Sequence, residues 1–81
     1  MQHVYVIKSQ KFTDKIYIGC TNNIDERLKE HNAEKVTSTK RYVPWELGFY
    51  IAFKNRKLAW QFEKYLKSHS GRAFMRKRLL D

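Results

Sequence analysis

Two short runs rich in β-branched and aromatic residues, Gln2 to Lys8 and Lys15 to Cys20, flank a polar stretch from Ser9 to Asp14, and a capped helical pattern follows at once. This opening constrains the fold more than any other feature. Val, Ile and Tyr suit pleated, half-buried strands, and the polar residues between the runs read as a hairpin loop. A register with Tyr5 opposite Tyr17 places both phenols on one sheet face, because side chains alternate along a strand. Val4, Val6, Ile16 and Ile18 then share the other face. A slip of one residue would separate the tyrosines.

The helix starts near Asn23, with Asn22 or Asn23 as cap and Glu26 three residues after Asn23 in capping-box position. At 3.6 residues per turn, Ile24, Arg27, Leu28 and His31 form one stripe, and Asp25, Glu26, Lys29 and Glu30 the opposite face. Arg27 and His31 therefore project with the apolar stripe, toward the sheet. A charge held inward needs a partner. The alternative is an arginine whose stem packs while its head curls back to water.

Glu34 to Pro44 has no period and contains Thr37-Ser38-Thr39-Lys40-Arg41. Two readings stand: an ordered loop whose Lys40, Arg41 and hydroxyls contact phosphates, or a solvated connector. Trp45 to Phe53 is the strongest strand, with Leu47, Phe49, Ile51 and Phe53 alternating with Gly48, Tyr50 and Ala52. Apolar residues on both faces predict a strand covered on both sides by helices. Asn55 caps a second helix running to about His69, with Leu58, Ala59, Phe62, Tyr65 and Leu66 as its stripe and Glu63 on the shoulder. Gly71 is expected to break that pattern. Ala73 to Leu80 forms a last basic helix with Phe74, Met75, Leu79 and Leu80 as apolar contacts. The expectation is one α/β domain over residues 1–81, in β-β-α-β-α-α order.

Charge narrows the function. A formal +9 on 81 residues gives a field that attracts polyanions and repels basic partners. Nucleic acid is favoured over a merely lysine-rich surface. Cys20 is the only cysteine, so an internal disulfide is excluded and a reducing, cytoplasmic setting is expected. No apolar run is long enough for a signal peptide or a membrane span. Cys20, His3, His31 and His69 lack the spacing of a structural zinc site.

In sequence, His3-Val4-Tyr5, then Tyr17-Ile18-Gly19, then Arg27 and His31 on one helix and Glu63 on a later one resemble the ordered motifs of the GIY-YIG nuclease domains. Ser70-Gly71-Arg72-Ala73 also fits small members similar to the N-terminal nuclease domain of the excision-repair nucleases. The resemblance implies a three-stranded antiparallel sheet flanked by helices, and hydrolysis of DNA assisted by one divalent cation, Mg2+ or Mn2+. By motif position, Glu63 would bind the metal and Arg27 would stabilise charge on the scissile phosphate. Tyr5 and Tyr17 would position or deprotonate the attacking water, and His31 would assist proton transfer.

Each role has a physical counterpart and a plainer alternative. Magnesium commonly takes only one or two carboxylates, so Glu63 alone suffices; the alternative is a surface glutamate paired with Lys67, worth only ~0.3–0.5 kcal/mol. A tyrosine serves as base only when a nearby cation lowers its pKa from about 10. Tyr17 is preferred because it adjoins Gly19, where a missing side chain lets substrate approach the backbone. His31 is the other base, and the sequence does not rank the two. Core packing remains the alternative for either tyrosine taken alone. Three departures from the family pattern stand out: His3 replaces the glycine of the first motif, Cys20 follows the second where some relatives carry lysine, and no asparagine follows Glu63.

The leading expectation is a metal-dependent DNA endonuclease, acting in repair or recombination. A non-catalytic module on the same scaffold would instead bind phosphates through Lys57, Lys64, Arg72, Arg76, Lys77 and Arg78. An interaction protein is the third reading, since Trp60 lies opposite the stripe of its helix and either meets a partner or is covered by the C-terminal segment. A partner protein supplying specificity fits any of the three.

Overall fold

A computed structural model of the chain describes residues 1–80. Strands β1 (Gln2–Ser9) and β2 (Ile16–Thr21) form the hairpin, and α1 (Ile24–Asn32) follows. A 3-10 turn at Lys40–Tyr42 leads into β3 (Trp45–Phe53), then α2 (Arg56–Lys67) and α3 (His69–Arg78). The sheet is antiparallel in the order β2-β1-β3. The α/β class and the element order expected from the sequence stand. No helix among the described residues is long and apolar enough to cross a membrane.

The hairpin pairs Tyr5 with Gly19 and Ile7 with Tyr17, two residues away from the register that sets the tyrosines opposite each other. A two-residue shift preserves the face, so both phenols still share one side. Ser9 organises the turn between the strands: its buried hydroxyl accepts from the backbone N–H groups of Lys11 and Phe12 and donates to the Tyr42 carbonyl at 2.6 Å.

Placement in the sheet, rather than composition, decides which strand is covered twice. Central β1 buries Val4, Tyr5, Val6 and Ile7. Strand β3 is an edge, and its Leu47 and Tyr50 are exposed, which corrects the expectation of a doubly covered β3. A register shift between Val6 and Ile7 leaves Gly48 between Phe49, which pairs with Val6, and Leu47, which pairs with Ile7. That bulge turns Leu47 off the face shared by Phe49, Ile51 and Phe53.

Two cores result. On one face Val4, Val6 and Ile18 pack with Ala59 and Leu66 of α2 and Met75 of α3. On the other, Tyr5, Ile7 and Trp45 pack with Tyr17, Ile24 and Leu28. The sheet therefore separates α1 from α2.

Helix ends follow their capping chemistry. The Asn23 side chain accepts from the Glu26 N–H, and the Asn55 side chain from the N–H groups of Lys57 and Leu58. After α1, Lys35 N–H bonds the Glu30 carbonyl and Glu34 N–H the His31 carbonyl, with Glu34 left-handed at φ 61°. The helix break expected at Gly71 falls at Ser68, whose hydroxyl accepts from the Gly71 N–H and starts α3. Gly71 is helical and buried; it permits close packing of α3 on α2 and does not interrupt it.

Candidate active site

The first two strands and α1 build a polar cluster on the Tyr5 face of the sheet. Tyr5 points from the central strand and is 2% exposed, and His31 comes from the last turn of α1 and is fully buried. Their contact is a hydrogen bond of 2.9 Å between the phenol oxygen and Nε2. The other ring nitrogen, Nδ1, lies 2.8 Å from Oγ1 of Thr39, which is 1% exposed. Tyr17, half-buried, completes the ring cluster at 5.0 Å from His31 and 6.3 Å from Tyr5 between centroids.

Burial and the neighbouring Arg27 charge lower the His31 pKa below its ordinary value, with Glu30 opposing them weakly. Burial raises the Tyr5 phenol, and Arg27 acts against that rise. At neutral pH the pair is a neutral phenol against a neutral imidazole, the state in which one donates and the other accepts.

Gly19 makes this arrangement possible. A Cβ at that position would stand 2.6 Å from the Tyr5 hydroxyl and 2.7 Å from Cζ. The space beside the second motif's glycine is thus filled by the first motif's tyrosine. The sequence led to an expectation of substrate against the Gly19 backbone; the group that stands there is the Tyr5 phenol, and Gly19 is buried. His3, in place of the first-motif glycine, sets its ring edge-to-face with Tyr50 at 5.6 Å.

Arg27 sits at the rim, with its side chain about a third exposed and NH1 held 2.8 Å from Glu30 Oε1. It lines an open cavity of about 290 Å³ with Glu26, Glu30 and Cys20. The inward expectation holds for His31, whereas Arg27 takes an intermediate place, reaching Tyr5 from the edge while paired on its own helix.

Glu63 occupies the other layer. It projects from α2, its side chain 17% exposed, with Oε2 3.2 Å from Lys67 Nζ and Oε1 accepting from the Cys20 thiol at 3.4 Å. Burial first, then the Glu63 charge, push the Cys20 pKa up to about 11, so it is a thiol at neutral pH. A second cavity of about 240 Å³ runs between Glu63, Cys20, Arg56 and Trp60. Cys20 borders both cavities, so Glu63 stands on one side of the edge strand β2 and Arg27 on the other. The Glu63 charge reaches Tyr5, where it is the weakest of the influences raising the phenol.

The remaining candidates lie apart. Lys40 and Arg41 are exposed in the 3-10 turn directly after Thr39, and Arg72 is exposed on α3, which packs on α2 one layer away from α1. Trp60 is 55% exposed, uncovered by the C-terminal segment, with the Lys64 ammonium 5.0 Å from its ring centroid. The sequence offered the Thr39 hydroxyl only as a phosphate contact or as part of a solvated connector; the structure buries it against His31. Thr39 sits in a polar stretch without period, and nothing in composition marks one buried hydroxyl among its neighbours. Sequence reasoning missed Asn32, whose amide bonds both the N–H and the carbonyl of Trp45, at 2.6 and 3.0 Å, and fastens α1 to the start of β3.

Comparison with known proteins finds a matching family and relatives. The family model described as the GIY-YIG catalytic domain matches residues 1–78. A UPF0213 protein of Clostridium perfringens is 32% identical over 68 residues, covering 83% of this chain and 71% of the relative. A UPF0213 protein of Bacillus licheniformis is 39% identical over 56 residues, covering 68% of this chain and 58% of the relative.

Proposed function

The chain belongs to the GIY-YIG catalytic domain family, a nuclease-type fold, and from that premise we propose that it is a divalent-metal-dependent endonuclease acting on DNA. The observation that carries this reading is the buried Tyr5–His31–Thr39 chain, flanked by Tyr17 and Arg27, with Glu63 on the other side of β2 from Arg27. A hydrogen-bonded imidazole and phenol, both neutral, form a proton-handling pair beside a guanidinium suited to phosphate.

Tyr17 is the more open of the two tyrosines and, as the phenolate, is the group proposed to position the attacking water and take its proton, ending as the neutral phenol. Tyr5 and His31 lie beside it as a neutral hydrogen-bonded pair, Nε2 accepting the Tyr5 O–H and so holding the phenol in place. Arg27 exchanges Glu30 for the scissile phosphate, since a guanidinium binds phosphate oxygens in the same forked manner as a carboxylate. Fixed positive charge at that point stabilises the negative charge developing on the phosphoryl oxygens.

The donor chemistry at Glu63 fits a hard dication. Its carboxylate is the single oxygen ligand on offer, and no group of three His, Cys, Asp or Glu side chains gathers among the described residues. Magnesium and manganese accept such a site because water and substrate oxygens complete their shells. Lys67, about half exposed, is free to swing away from Oε2. Bound there, the cation would supply Lewis acidity to the phosphoryl oxygens. Lys40, Arg41 and Arg72 are proposed DNA contacts, in a cytoplasmic protein of repair or recombination whose specificity a partner protein helps to set; Gly19, buried against Tyr5, is not among them.

The test is cleavage of duplex, flap, branched and single-stranded DNA with magnesium or manganese. Chelator should stop it, and Glu63→Ala or Arg27→Ala should reduce it by about 10²-fold or more with the circular dichroism unchanged. Cleavage at the parental rate by both variants overturns the assignment. One observation favours a binding-only module: the Glu63 carboxylate is already paired with Lys67. Tight binding of DNA that stays intact with either metal would establish that second reading.

A further inference from the structure

We propose that Thr39 is a positioning residue of this site: its hydroxyl accepts the His31 Nδ1–H and donates to the Val36 carbonyl, fixing the tautomer whose Nε2 accepts the Tyr5 O–H. The effect on rate rests on the nuclease reading above; the tautomer assignment does not.

The Thr39 end accommodates this proton placement and the Tyr5 end favours it. Thr39 Oγ1 is 2.8 Å from Nδ1 and 3.4 Å from the Val36 carbonyl oxygen. A carbonyl only accepts, so the threonine proton goes there when Nδ1 brings its own. At the far end, the phenol proton points to Nε2, the one side-chain acceptor bonded to the Tyr5 oxygen. Were Nε2 to carry the proton instead, the buried phenol would only accept there and its own proton would have no partner among the described residues.

The Thr39 hydroxyl is held in place by its own backbone. Its N–H bonds the Val36 carbonyl at 3.1 Å, and its carbonyl accepts from Tyr42 N–H at 3.1 Å and from the buried Trp45 indole at 3.0 Å. The segment before Lys40 is therefore the back wall of the imidazole at this residue. Because an imidazole in the wrong tautomer offers a donor where an acceptor is needed, the hydroxyl acts on the chemistry through His31 alone.

The experiment is nitrogen-15 NMR of the His31 ring at neutral pH in the parent, Thr39→Ser and Thr39→Val, beside cleavage kinetics. The parent and Thr39→Ser should show protonated Nδ1 and unprotonated Nε2. In Thr39→Val, Nδ1 loses its acceptor, and the signals should move toward the other tautomer or an average of the two. The kcat of this variant should fall by about 10²-fold or more with KM unchanged, and serine should restore it. Protonated Nε2 in the parent, or a Thr39→Val ring spectrum identical to the parent's, overturns the proposal. A purely structural role would lower the melting temperature without moving the tautomer. If Thr39→Val does not fold, the parent and serine spectra decide. If no form cleaves DNA, the nuclease reading fails while the spectra still decide the role of Thr39.

Discussion

At Gly19 a single hydrogen atom gives Tyr5 the room in which it meets His31. Gly19→Ala would drive a methyl into the Tyr5 ring, which is buried and has no free space to yield. We expect a loss of about 1–3 kcal/mol in urea unfolding, with cleavage falling because the phenol leaves Nε2. His31 adds a pH signature. Its folded-state pKa lies below the ordinary 6.5, so the native state binds fewer protons than the unfolded chain as pH falls. Its contribution to stability is complete above about pH 6.5 and is lost progressively as the pH falls through the lowered folded-state value. Urea midpoints measured down the pH scale should show that decline, and His31→Gln should flatten this segment. A decline unaltered in His31→Gln would assign the acid sensitivity to other groups.

Among the elements, the turn between α2 and α3 opposes helix propensity to packing. Alanine is the better helix former by about 1 kcal/mol. Yet a Cβ on Gly71 would fall 1.8 Å from the Tyr65 carbonyl oxygen, backbone that cannot give way without moving α2. Gly71→Ala should therefore destabilise by about 2–3 kcal/mol in denaturant titration despite the gain in propensity. A stabilised variant would show that the two helices separate easily. The same glycine shows what the sequence withholds. A glycine after a helical pattern is a sound stop signal locally, but close approach of two helices demands the same residue, and only packing distinguishes the cases. The hairpin, the caps at Asn23 and Asn55 and the strand at Trp45 were legible because local chemistry determines them. The coverage of β3 was not, because strand order is a property of the whole sheet. At the site, Tyr5, Tyr17, Arg27 and His31 were legible from alternation and helical period. Thr39 was not, since its burial depends on Trp45 and His31 arriving from elsewhere.

For the whole molecule, the charge of +9 is a property of every surface together. Helix α3 carries Arg72, Arg76, Lys77 and Arg78 and no acid, so the layer beyond α2 is as basic as the site is mixed. DNA affinity, measured by fluorescence anisotropy, should fall steeply with salt. A footprint of about 3–5 phosphates gives a slope of roughly −3 to −4.5 in log K against log salt. Replacing Arg72 by Gln should lower that slope by up to about one if it touches phosphate, and leave it unaltered otherwise. The sign of the charge was legible in composition; the face that meets DNA was not, because it depends on which helices the sheet separates. The separation also divides the tryptophans. Trp45 lies in the Tyr5 core bonded to Thr39, while Trp60 stands in solvent beside Lys64. The chain thus carries two optical reporters of opposite accessibility: a dissolved quencher should dim one emitter and spare the other, and Trp60→Phe leaves fluorescence that follows only the floor beneath the imidazole as the molecule melts.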